Sequence, residues 1–139
     1  MLKKIPAVLL AVFMVSCVGL KSLSREETIT LMDGYFDKIN QNNFELLAPY
    51  YSELFYEETP REEWEEIYNS AHAALGPFIS SELVSWTEDS VVNTSGSGKY
   101  FTFVYKTKYE NGDAEETFVI VAPKSANTIR INSHLYDLD

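Results

Sequence analysis

The sequence predicts an α+β domain, with three N-terminal helices packed on a curved four-stranded antiparallel sheet. Two observations carry that class. Residues 24–76 place apolar side chains at helical spacing between capping and breaking residues, whereas residues 79–136 alternate at period two in four long runs. A third, Asn111–Gly112 between two of those runs, reads as a tight hairpin turn and makes the pairing antiparallel.

Ser24 and Glu27 form a capping box that opens the first helix. Ile29, Met32, Tyr35 or Phe36, and Ile39 then trace one face, and the turn-prone run Asn40–Asn43 ends it. A short second helix is expected from Phe44 to Tyr51, with Pro49 kinking it. Thr59 and Glu62 form a second capping box, with Pro60 at the first helical position. Trp64, Ile67, Tyr68, Ala71 and Leu75 supply that helix's apolar face, and Gly76–Pro77 close it.

The strands are expected at 79–92, 99–110, 115–122 and 128–136, joined by Ser95–Gly98, Asn111–Gly112 and Ala122–Asn127. Phe101, Phe103, Tyr105 and Tyr109 share one face of the second strand, opposite Lys106 and Lys108. In the fourth, Ile129, Ile131 and Leu135 fall on one side, and Arg130, Asn132, His134 and Tyr136 on the other. His134 is therefore expected on a solvated sheet face, and His72 at the edge of the core.

The N-terminus is more specific. Lys3 and Lys4 precede the eleven-residue apolar run Ile5–Val15, too short for a membrane span, which needs about 20 residues. Met14, Val15 and Ser16 then stand before Cys17, the only cysteine of the 139 residues. This resembles the lipobox of bacterial lipoproteins. It implies a signal peptide over 1–16, lipid attachment at Cys17, a lipidated tether over 17–23 and a domain over 24–139. Several acyl chains hold a protein on a membrane far more firmly than one. With Val18 rather than aspartate after the cysteine, the resemblance implies the outer membrane facing the periplasm where two membranes are present. Where there is one, it implies the outer face of the cell membrane. Six extended residues reach at most about 20 Å, so the domain sits close to its membrane.

Loss of residues 1–16 leaves nine basic residues against 21 acidic ones, a formal charge of −12. Such a surface repels phosphate backbones and excludes nucleic acid as a partner. With Cys17 lipidated there is no disulfide or thiol chemistry.

Thr59, Pro60 and Trp64, then Trp86, the Ser95–Gly98 link, Tyr100–Tyr109 and Glu116–Phe118 together carry a family resemblance over roughly residues 24–136. The chain resembles small bacterial lipoproteins of the nuclear transport factor 2-like, or cystatin-like, superfamily. In that fold the sheet curls around the helices into a cone with a pocket at its wide end. The resemblance implies a candidate pocket lined by Tyr35, Phe103, Tyr105 and Glu116, and a homodimer formed through the sheet as one mode of partnership. Superfamily members include enzymes and pure binding modules, so fold leaves activity open.

Comparison with ketosteroid isomerase, a relative by that resemblance, sets Tyr35 at the oxyanion-hole tyrosine and Glu116 at the protonated acid. The general base lands near Thr59, which cannot take a proton from carbon; Glu57 and Glu58 are its acidic neighbours. The catalytic set is thus incomplete. The run Glu57, Glu58, Glu62, Glu63, Glu65 and Glu66 is read as a solvated helix start favoured by the helix dipole. It offers no calcium-loop spacing. His72 and His134 have no zinc-like partners in sequence, so no metal and no cofactor is expected. No GxSxG marks a nucleophile, and Ser97 between Gly96 and Gly98 is read as a flexible turn.

The functional expectation is a lipid-anchored cell-envelope protein acting as a non-enzymatic binding or protein-interaction module. Its partner is another envelope protein or a small apolar ligand. Binding of a small apolar molecule in the cone pocket is the first alternative, and isomerase- or hydrolase-type catalysis the second.

Overall fold

Ser24 takes up extended backbone and its hydroxyl accepts the amide N–H of Glu27, which starts α1 (Arg25–Ile39). A computed structural model describes residues 24–93, 96–121 and 129–138. The signal segment, Cys17, the 17–23 tether and the Ala122–Asn127 link lie outside them, as does Ser95. None of the described helices is long and apolar enough to cross a membrane.

α1 buries Met32, Tyr35, Phe36 and Ile39, the expected face, together with Thr28. Its end is marked by Asn42, which takes a positive φ of 49°. Asn43 then caps α2 (Phe44–Leu47) by accepting the amide of Glu45. The expected single helix through Tyr51 is divided. Pro49 lies inside a 3₁₀ turn, Ala48–Tyr50, and the α-helical pattern stops before it.

A further helix, α3 (Glu53–Glu58), occupies a stretch in which the sequence reading placed none. Ser52 caps it by accepting the Phe55 amide at 3.0 Å. Its last turn also displaces the expected capping box. Thr59 ends α3 and Pro60 is the cap of α4 (Arg61–Leu75), where no side chain bonds a free amide. α4 buries Trp64, Tyr68 and Leu75 as expected, but Ile67 is exposed. Gly76 closes the helix at φ 79°, a conformation that favours glycine.

The four strands β1 (Phe78–Asn93), β2 (Gly96–Tyr109), β3 (Gly112–Val121) and β4 (Arg130–Leu138) form one antiparallel sheet in sequence order. Tyr109 pairs with Gly112, so the hairpin turn is Glu110–Asn111, one residue earlier than expected. Their amides donate to the carbonyls of Pro77 and Leu75, which fastens the turn to the end of α4. The face bearing Phe101, Phe103, Tyr105 and Tyr109 meets the helices; Phe118, Ile120 and Ile131 complete it. The chain is therefore α+β, with helices packed on one face of a four-stranded antiparallel sheet.

β4 corrects the expected facing of its second half. Ile120 pairs with Ile131, but Val119 pairs with Ser133, so one extra residue of β4 is accommodated at Asn132. Such a bulge inverts the parity of every following side chain. His134 consequently points into the core at 5% exposure, and Leu135 lies outside at 64%. Two contacts hold the bulge: Ser52 N–H donates to Ile131 O, and Ser52 Oγ donates to Asn132 Oδ1 at 2.7 Å.

Candidate functional site

Period two also decides where the site lies. On β3 the residues Ala114, Glu116, Phe118 and Ile120 share the core face, and on β2 Thr107 and Tyr109 lie on the same side. A carboxylate in that position must find donors, since an unpaired buried charge costs several kcal/mol. Glu116 finds three. Thr107 Oγ1 and Tyr109 OH donate to Oε2 at 2.6 and 2.7 Å, and His134 Nε2 donates to Oε1 at 2.8 Å. Both the Glu116 and His134 side chains are fully shielded from solvent.

The chain of bonds continues beyond the imidazole. Tyr51 OH lies 2.9 Å from His134 Nδ1, and Tyr35 OH lies 3.0 Å from Tyr51 OH. Phe118 and Tyr136 flank the imidazole, with ring centroids 4.1 and 4.4 Å away. The network thus joins β2, β3, β4, α1 and the residue after the 3₁₀ turn. Two buried donors near it, Trp64 Nε1 and Tyr68 OH, have no hydrogen-bond partner among the described residues.

Electrostatics follow from this packing. Burial alone pushes the Glu116 carboxyl up, but the bonds and charge of His134, with the Thr107 and Tyr109 hydroxyls, outweigh it and hold the group below its ordinary value. Burial drives Tyr35, Tyr51 and Tyr136 well above the ordinary phenol range, with the Glu116 charge adding to each. His72, whose Nε2 lies 3.1 Å from Tyr136 OH, is pulled down to about 4 by burial.

These directions bear on the isomerase comparison. A protonated acid needs a raised pKa, and Glu116 is shifted the other way. Glu57 and Glu58 are exposed on α3, and Thr59 lies at its end.

Of the four candidate pocket residues, the structure joins Tyr35 and Glu116 through Tyr51 and His134. Phe103 and Tyr105 lie beside each other in the same core, with Tyr105 against Phe36 and Phe118. All four are buried, and the two described cavities are lined by other residues. One, of 290 Å³, lies at the end of α4 beside His72, Gly76 and Phe78. The other, of 430 Å³, runs along β4 between α3 and α4.

The sequence reading missed His134, Thr107, Tyr109 and Tyr51 as partners of Glu116. The alternation Ala114–Glu116–Phe118–Ile120 was the available signal: a glutamate in phase with core residues calls for buried donors on neighbouring strands. Among the described residues, no three histidine, cysteine or acidic side chains converge as metal ligands.

A family model described as a protein of unknown function, DUF4019, matches residues 34–132, more than two thirds of the chain. The chain belongs to that family. The match spans Tyr35, Tyr51, Thr107, Tyr109 and Glu116, and ends at Asn132, two residues short of His134. No curated protein and no solved structure matches this DUF4019 chain.

Proposed function

We propose that this protein is lipid-anchored in a bacterial cell envelope through Cys17, and that its domain is a non-enzymatic binding or protein-interaction module. The address rests on the lipobox-like Met14–Cys17 and the basic and apolar segments before it. It places the domain at the outer membrane facing the periplasm, or on the outer face of the cell where there is one membrane. The finer fold reading attached to this proposal is the cone of the nuclear transport factor 2-like superfamily.

One observation carries the non-enzymatic reading. The best acid–base pair among the described residues, Glu116 and His134, is sealed, and its hydrogen-bonding atoms are already engaged by the protein. A general base must reach the proton it abstracts within hydrogen-bond distance or through one water. A pair occupied in this way instead ties three strands to α1 and to Tyr51 after the 3₁₀ turn, and leaves the surface to do the work.

Native mass spectrometry of the protein purified from its own envelope tests the proposal. The expected species begins at Cys17, carries acyl chains and retains a partner protein or a small molecule. A mass without lipid would refute the anchor, and a bare lipidated monomer would refute the binding role.

A further inference from the structure

The 430 Å³ cleft along β4 lies within the usual volume range of ligand sites. Phe55 and Trp64 are its buried floor, while Ile67 on α4 and Leu135 on β4 stand at its mouth, 42% and 64% exposed. Both rim residues break the pattern of their elements. Ile67 belongs by spacing to the inward face of α4, and Leu135 is turned out by the bulge at Asn132. Their exposure therefore concentrates apolar surface at one concave place rather than scattering it.

Glu58 contributes the one carboxylate, and Thr59, Asn132 and Ser133 contribute neutral groups. His134 and Tyr136 also line the cleft, but the His134 ring nitrogens are engaged by Glu116 and Tyr51, and the Tyr136 hydroxyl by His72. No lysine or arginine lines the cleft among the described residues. The acidic chain, at a formal −10, adds to the negative potential. A concave apolar floor with a carboxylate at its rim is complementary to a small organic cation carrying an apolar or aromatic body.

We infer that this cleft between α3, α4 and β4 binds small amphipathic cations, with the apolar body on Phe55, Trp64, Ile67 and Leu135 and the ammonium group at Glu58. The site deepens the binding-module reading by naming a place and a ligand class. It does not depend on the lipid at Cys17, so either claim can fail without the other.

The test is a titration of the ¹⁵N-labelled full chain with phenethylammonium, followed by two-dimensional NMR. The chain has two tryptophans, and Trp86 on β1 lies outside the cleft, so its indole signal is an internal control. The expected result is a saturable shift of the Trp64 indole, Ile67 and Leu135 signals at about millimolar ligand, with Trp86 unmoved. Glu58 is exposed, so Glu58→Gln leaves the fold intact and should weaken phenethylammonium about fivefold. The same variant should leave neutral 2-phenylethanol unchanged. Three outcomes would overturn the inference: no saturable shift, binding of 3-phenylpropanoate as tight as that of the amine, or concentration-dependent broadening of these signals without ligand. The last would mean that a second copy of the chain covers the cleft.

Discussion

His134 Nε2 lies 2.8 Å from Glu116 Oε1, and neither side chain reaches solvent. These residues are directly opposed neither by sequence parity nor by pairing; Glu116 pairs with Tyr136 and His134 with Phe118. They meet because the bulge at Asn132 turns His134 to the face that Glu116 occupies. Breaking one member of such a pair leaves the other buried and uncompensated, which makes the contact more consequential to lose than to form.

Acid should weaken the fold in two overlapping stages. The His72 pKa is depressed from 6.5 to about 4 in the folded protein, so the unfolded chain binds more protons between those values. Stability then falls as pH drops from 6.5 toward 4, by about 3 kcal/mol from this residue. Glu116 is also depressed; its contribution is present above its unfolded value and is lost as pH falls below it. Urea denaturation at a series of pH values should show the decline beginning near 6.5, and His72→Gln should remove its upper part.

Ser52 joins two features that sequence spacing treats separately. Its hydroxyl caps α3 at Phe55 and donates to Asn132 Oδ1 in the bulge. Ser52→Ala should therefore cost about 2 kcal/mol, more than the roughly 1 kcal/mol typical of a lone cap. Asn132→Ala should cost about 1 kcal/mol. Chemical denaturation of both single variants and the double variant checks this; coupling between them is expected, since one bond is shared.

Gly76 combines φ 79° with a crowded neighbourhood, because an added Cβ would meet Asn111 Nδ2 at 2.8 Å. The Asn111 backbone is itself held by the hydrogen bond that its N–H donates to Leu75 O. Gly76→Ala should lower stability by about 1–3 kcal/mol, seen as a lower Tm with unchanged far-ultraviolet dichroism.

Much of the fold was legible because it rests on local patterning. The face of α1 from Met32 to Ile39, the glycine end of α4 and the aromatic face of β2 follow from periodicity and breakers. What was hidden depended on contacts between distant residues. The serine–asparagine bond across 80 positions fixes the bulge, and the bulge reverses His134 and Leu135. Ser52 reads in sequence as one more loop residue, yet it starts α3 and so moves the cap of α4 from Thr59 to Pro60. Glu116 was picked out as a site residue by resemblance; its three donors were scattered over residues 107–134, where only tertiary structure brings them together.

The claim that Glu116 and His134 form a sealed structural unit is tested most directly by a double-mutant cycle. Glu116→Leu and His134→Phe, singly and together, are compared with the parent chain by urea denaturation. Each single change should cost about 3–5 kcal/mol, because each strands a buried partner. The double variant should cost less than the sum by about 1–3 kcal/mol. Costs that add to within about 0.5 kcal/mol would contradict the pairing, and with it the reversal of β4 at Asn132.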